Sequence, residues 1–136
     1  MTDVTRVRLD FESEERFVSL RRPLGVTGFG LNLLTLAPGQ RGRIHRHREQ
    51  EEVYLVLRGT LTLGLEDGEL EIGEHEVVRV PAATRRQLSN RGEGRCVLVA
   101  IGAAGEHVGR DGEAFEDWNE KEGRPPQDVP LPADWS

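Results

Sequence analysis

The chain has 136 residues, 36% of them hydrophobic, and a formal net charge of −6, which suits one domain able to bury a core without covalent staples. Cys96 is the single cysteine, so an intrachain disulfide is excluded, and no apolar run approaches the ~20 residues a membrane helix needs. Residues 103–136 hold nine acidic and three basic residues, which leaves fifteen of each sign in the remainder, so the charge sits in the tail and no nucleic-acid footprint appears.

In chain order, M-T-D-V-T-R-V-R opens without the apolar stretch of a secretory signal, and the expected location is the cytoplasm. Residues 4–10 alternate well enough for a strand and residues 17–20 for a second. Early strands of this kind extend a sheet or cross to a partner subunit, which sets residues 1–24 apart as an N-terminal segment. The run G-L-N-L-L-T-L at 30–36 is apolar on both faces, and a strand without a wet face is sandwiched. After Ala37-Pro38-Gly39 a strand begins near Arg43, and E-V-Y-L-V-L from Glu52 makes the next. T-L-T-L-G-L, the turn E-D-G and E-L-E-I form a hairpin, because Asp-Gly supplies the positive-φ residue that a tight turn requires. V-V-R-V runs into Pro81, and residues 87–91 and 95–101 give the last strands. Cys96 falls within the apolar run C-V-L-V-A-I, where a buried, inert thiol is expected. Many short strands punctuated by glycine and proline mean an all-β, antiparallel barrel over residues 25–102.

Residues 103–136 read differently, with little periodicity and prolines at 125, 126, 130 and 132. A short helix over 113–120 would set Phe115 and Trp118 on one face. Phe115, Trp118 and Trp135 are the expected anchors of this acidic, proline-rich tail on the barrel or on a second subunit; plain disorder is the alternative.

The chemistry concentrates between Gly39 and Gly59, in G-Q-R-G-R-I-H-R-H-R-E-Q-E-E-V-Y-L-V-L-R-G. Alternation along a strand turns His45 and His47 to one face, ~7 Å apart along the chain. Glu52 follows after residues 48–51 and meets them if the two strands pair. Two imidazoles and a carboxylate make a three-ligand set for iron, zinc, manganese or nickel; the bland reading is a polar interior in which the three only bond one another. Tyr54 shares the face of Glu52 and lines the cavity or packs as a core aromatic. Arg43 shares the histidine face and either meets an anion at the cavity mouth or is a solvated loop residue. Arg41, Arg46 and Arg48 look like a basic run, but Arg46 and Arg48 alternate to the opposite face, and a solvated face or a subunit contact is expected of the run rather than nucleic-acid binding; His75 and His107 fall in turn and tail contexts where surface histidine is the default.

The spacing Gly39, His45-x-His47, Glu52, Gly59 resembles the first motif of the cupin superfamily in full. The second motif, P-x-G-x-x-H-x-x-x-N, corresponds to Pro81 through Asn90: Pro81 and Asn90 hold their places, Ala83 stands for the glycine, and Arg86 for the histidine. This resemblance covers residues 25–101 and implies an antiparallel double-stranded β-helix, or jelly roll, together with a homodimer of the common cupin kind.

Arg86 decides the chemistry, since a guanidinium ligates no metal and stays protonated. At ~5 Å from a divalent ion, with an effective dielectric of about 20, repulsion is roughly 6 to 7 kcal/mol. Arg86 therefore turns aside, is neutralised by an anionic substrate, or pairs with Glu52 and takes the metal's place. The first two arrangements imply a metal-dependent oxygenase or isomerase acting on an oxygen-rich or anionic small molecule through His45, His47 and Glu52, with Arg86, Tyr54 and Arg43 as substrate-binding candidates. The third implies a metal-free, non-catalytic cupin that binds a small anionic metabolite. Neither reading calls for a nucleic acid or a membrane.

Overall fold

The computed structural model describes residues 3–102 and 111–135. Ten strands appear among them: β1 (Phe17–Ser19), β2 (Gly30–Leu36), β3 (Ile44–His47), β4 (Glu52–Arg58), β5 (Leu61–Leu65), β6 (Gly68–Ile72), β7 (Val77–Val80), β8 (Gln87–Ser89), β9 (Cys96–Gly102) and β10 (Gly112–Phe115). A single helical turn, α1 (Arg21–Leu24), follows β1, and a 3₁₀ turn spans Pro126–Asp128.

The strands form two antiparallel layers. One has the order β1-β2-β9-β4-β7. In the other, β6-β5-β8 is joined to β3-β10 by isolated bridges from Arg41 to Ser89 and from His45 to Arg86. Alternation points Leu36, Tyr54, Val56, Leu98 and Ala100 of the first layer at Leu61, Leu63 and Leu88 of the second, and together these close the core. Cys96 is buried in it, and burial pushes its thiol up to about 12.

Both faces of β2 are buried, for different reasons. Leu36 faces the core, whereas Leu33 joins Leu20 and Val97 in a second cluster on the outer side of the sheet, with Leu9, Phe11, Val18 and Leu24 packed against it. The sandwich expected for this strand is thus made by the chain's own N-terminal segment. The strand expected over residues 4–10 is absent: Val4 is 84% exposed, and Leu9 and Phe11 reach the second cluster from irregular backbone. Tertiary burial of two side chains outweighs the alternation, because this stretch has no neighbouring strand to complete a ladder.

The helix expected over 113–120 is also corrected. Residues 112–115 form β10 and pair with β3 in the register Gly112↔His47 to Phe115↔Ile44. β10 takes the outer edge of β3, at Ile44 and Arg46, while His45 and His47 bond across to Arg86 and Ala82, and helix propensity over eight residues cannot compete. Phe115 is 1% exposed, with the Arg85 guanidinium 3.8 Å from its ring centre. Trp135 lies under Arg91 at 3.6 Å, and the Trp118 ring packs over Gly64. The three aromatics therefore anchor the tail on the barrel of the same chain. His107 lies outside the described residues; His75 is an exposed turn residue at φ 69°.

The two motif glycines have structural reasons. Gly39 and Gly59 adopt φ 85° and 76°, and a Cβ there would sit 2.6 Å from the Trp135 carbonyl oxygen and 2.5 Å from that of Arg95. No helix among the described residues is long and apolar enough to cross a membrane.

Candidate metal centre

β3 and β4 do not pair with each other, contrary to the simplest reading of their proximity in sequence. β3 belongs to one layer and β4 to the other, so Glu52 meets the histidines across the barrel interior. The nitrogen and oxygen donors of His45, His47 and Glu52 lie within 4.8 Å of one another. His47 Nε2 is 3.1 Å and His45 Nε2 3.6 Å from Glu52 Oε1. Two donors each ~2.1 Å from a common ion in tetrahedral geometry stand about 3.4 Å apart, so these separations fit a shared cation.

The outer nitrogens of the two rings differ in their surroundings. His45 Nδ1 lies 3.1 Å from the Arg43 carbonyl, which can only accept, and so Nδ1 carries the proton. His47 Nδ1 is buried without a hydrogen-bond partner among the described residues and lies 3.5 Å from Asp111 Oδ2. His47 Nε2 donates to Glu52 Oε1 at 3.1 Å when it carries the ring proton; with Nδ1 protonated instead, each Nε2 would turn a lone pair toward the carboxylate. That arrangement is repulsive unless positive charge lies between the rings and the carboxylate.

Arg86 supplies part of that charge. Its side chain is 0% exposed; Nη2 donates to Glu52 Oε1 at 2.5 Å, Nε to the Tyr54 hydroxyl at 3.3 Å, and Nη1 to the carbonyls of Ala82 and Thr84 at 3.1 and 2.8 Å. The Tyr54 hydroxyl in turn donates to Glu52 Oε1 at 2.7 Å. Burial works to raise the Glu52 carboxyl, but the imidazoles of His45 and His47 and the Arg86 charge outweigh it and hold it well below the usual carboxylate range. For Arg86, burial works against the charge while Tyr54 and Glu52 favour it, and the balance keeps the guanidinium protonated. Burial and the Glu52 charge raise the Tyr54 phenol, which stays neutral and a donor.

Backbone geometry explains why position 86 reaches this point. His45 and Arg86 exchange both backbone hydrogen bonds at 2.9 Å, so they are neighbours across the strand pair and their side chains enter the same interior. Ala83 is exposed and adopts no positive φ, so the missing motif glycine leaves no strain. Asn90 is fully buried and donates to the Leu36 and Gly94 carbonyls at 2.8 Å, pinning the last turn to β2.

Arg43 is placed elsewhere. Its Nε donates to the Val129 carbonyl at 2.6 Å, so its head group is committed to the tail. Arg46 and Arg85 likewise face the tail, through Glu113 and through the carbonyls of Glu120 and Lys121. Asp111 is the residue that sequence reasoning passed over, because its partners lie some sixty positions earlier and no local spacing connects them.

Two layers of antiparallel strands wound around an interior His-His-carboxylate cluster define a double-stranded β-helix with a candidate cation site. The sequence profile of the cupin domain family matches residues 32–102, just over half of the chain, and the chain belongs to that family. No curated protein sequence matches it. Among solved structures, a cupin protein from Bacteroides fragilis superposes with a TM-score of 0.66 at 19% identity, covering 76% of this chain and 86% of its own. A cupin-superfamily sugar phosphate isomerase from Silicibacter pomeroyi gives 0.66 at 22%, covering 84% and 76%. A protein from Thermotoga maritima predicted to be an oxalate decarboxylase gives 0.55 at 17%, covering 62% and 73%. At these identities the likeness is one of fold.

Proposed function

We propose that the barrel holds a divalent metal ion on His45, His47 and Glu52 and uses it to bind a small, oxygen-rich anionic substrate, as an isomerase or oxygenase of cupin type. The observation that carries this reading is the convergence of two imidazole Nε2 atoms on one ionised carboxylate, with His45 Nδ1 bonded to the Arg43 carbonyl and His47 Nδ1 3.5 Å from Asp111 Oδ2. One divalent ion satisfies all three donors at once. When bound, such an ion supplies Lewis acidity or, if redox-active, oxygen activation.

Charge counting gives the substrate class. Arg86 and Glu52 cancel, so a divalent ion with two neutral imidazoles leaves the interior near +2, or near +1 with the Asp111 carboxylate behind His47 counted, and a substrate bearing carboxylate, phosphate or enediolate oxygens neutralises it. The names carried by the structural relatives, a sugar phosphate isomerase and a predicted oxalate decarboxylase, belong to the same chemical class. Tyr54, neutral and hydrogen-bonded to Glu52, holds the carboxylate in orientation. Calorimetric titration of oxalate, malonate and a sugar phosphate into the protein, with manganese and with a chelator, tests the reading: binding that requires the metal supports it, and binding to neither form overturns it.

A second reading is favoured by two contacts. Arg86 Nη2 and the Tyr54 hydroxyl already occupy Glu52 Oε1 at 2.5 and 2.7 Å, as they would in a metal-free pocket that binds an anionic metabolite without turning it over. Anion binding unaffected by the chelator would select this reading. We also propose a homodimer, supported by the exposed Phe17 on the edge strand β1 and Val77 on the opposite edge strand β7; light scattering at micromolar concentration checks it, and a monomer would contradict it.

A further inference from the structure

We infer that Asp111, on the C-terminal tail, is a positioning residue of the metal centre: it fixes the ring of His47 and the turn that separates His47 from Glu52. This inference rests on the metal-binding reading above.

The turn between two of the three ligands consists of residues 48–51. Its backbone N–H groups at Arg48 and Glu49 donate to Asp111 Oδ1 at 3.2 and 3.1 Å, and that of Gln50 donates to Oδ2 at 3.0 Å. One carboxylate thus gathers three consecutive donors, and the Asp111 carbonyl accepts from Arg48 N as well, at 3.1 Å. Without the carboxylate the Glu49 and Gln50 donors would lose their acceptor, and the spacing of Glu52 from His47 would be set by a looser turn. Asp111 Oδ2 also lies 3.5 Å from His47 Nδ1, a buried nitrogen with no hydrogen-bond partner among the described residues.

His47 therefore lies between two carboxylates, Glu52 on its Nε2 side and Asp111 on its Nδ1 side. A neutral imidazole has one proton, so it can satisfy only one of them. Directed to Asp111, that proton leaves the Nε2 lone pair for the ion, which in turn satisfies Glu52. A carboxylate behind a ligating histidine fixes its tautomer and raises its basicity, and losing such a partner typically costs 10–100-fold in metal affinity. The tail carries this group to the site: β10 begins at Gly112, directly opposite His47 in the β3 ladder, so the pairing that docks the tail also delivers Asp111.

The test uses the full chain and cobalt(II), with affinity measured by chelator competition and folding checked by near-ultraviolet circular dichroism. Asp111→Asn keeps the size of the group and removes its charge; Asp111→Ala removes both. Glu113→Gln is the control, since Glu113 clips the tail to Arg46 and to the Gly123 N–H without touching His47. We expect the folded Asp111→Asn protein to lose about 10–100-fold in cobalt affinity, Asp111→Ala to lose at least as much, and Glu113→Gln to stay within about threefold of the parent. The chemical shift of the His47 Nδ1 proton in the zinc-loaded protein gives a readout that mere loosening of the tail, as in Glu113→Gln, would not move: it lies downfield in the parent, where a carboxylate accepts it, and moves upfield in Asp111→Asn. Tight cobalt binding by the parent with no change in Asp111→Asn, or an equal loss in Glu113→Gln, overturns the inference while leaving the metal centre standing. No cobalt binding by the parent overturns both.

Discussion

Arg86 has no solvent and a full set of acceptors, with Glu52, the Tyr54 hydroxyl and the turn carbonyls of Ala82 and Thr84 around it. An ion pair this deep adds little net stability, yet removing one partner strands the other charge. Glu52→Gln is therefore expected to destabilise the fold by about 3–5 kcal/mol, read from urea denaturation; a change below about 1 kcal/mol would mean that the carbonyls alone suffice to hold the guanidinium. Arg86→His is expected to tighten metal binding, because it removes the nearest positive charge and places an imidazole on the backbone position that pairs with His45. Unchanged affinity in that variant would show that Arg86 does not oppose the ion. At this scale much of the site is legible in the sequence: alternation turns His45 and His47 inward, and the place of Arg86 in the second motif puts it in the same interior. The contact partners are not legible, since whether Arg86 turns aside or engages Glu52 depends on carbonyls arranged by the turn at 81–84.

At the scale of elements, the tail is held by arginines of the barrel. Arg43 and Arg41 donate to the carbonyls of Val129 and Ala133, Arg85 stacks on Phe115, and Arg91 stacks on Trp135. The basic run at 41–48, for which the sequence suggests a solvated face or a subunit contact, is in large part the berth of an acidic segment, a pairing separated by some ninety residues along the chain and so invisible to local patterning. Phe115→Ala is expected to cost about 3–5 kcal/mol, as for a fully buried aromatic; calorimetric melting checks it. Two carboxylates add a pH dependence. Burial works to raise Asp111, but the backbone N–H groups of residues 48–50 and His47 outweigh it and hold it below its usual range, and the Arg46 hydrogen bond does the same for Glu113. Depressed carboxyl groups stabilise the docked tail fully above their ordinary values of 3.8 and 4.5 and lose that contribution as pH falls through the lower folded values. Trp118 and Trp135 are the only tryptophans and both lie in the tail, so intrinsic fluorescence reports its release. A red shift setting in below pH 4 is expected; a spectrum constant down to pH 2 would contradict this electrostatic clip.

For the whole molecule, the barrel is wrapped from both ends of the chain: residues 9–24 cover the outer face of one layer, and residues 111–135 extend and cover the other. The alternating strands and the motif glycines make the barrel legible from sequence, because each strand's pattern is local. Residues 4–10 and 113–120 are misread as a strand and a helix because their structure comes from the surfaces they cover, whereas the strand read at 17–20 is present as β1. The same wrapping brings Asp111 to the candidate metal centre, so docking of the tail and binding of an ion stabilise each other in this account. The most direct test of its central claim is elemental analysis of the untagged protein, purified without chelator, beside His45→Ala. The account predicts close to one divalent metal ion per chain in the parent and none in the variant. A parent that stays metal-free after loading with iron, zinc, manganese and nickel would contradict it.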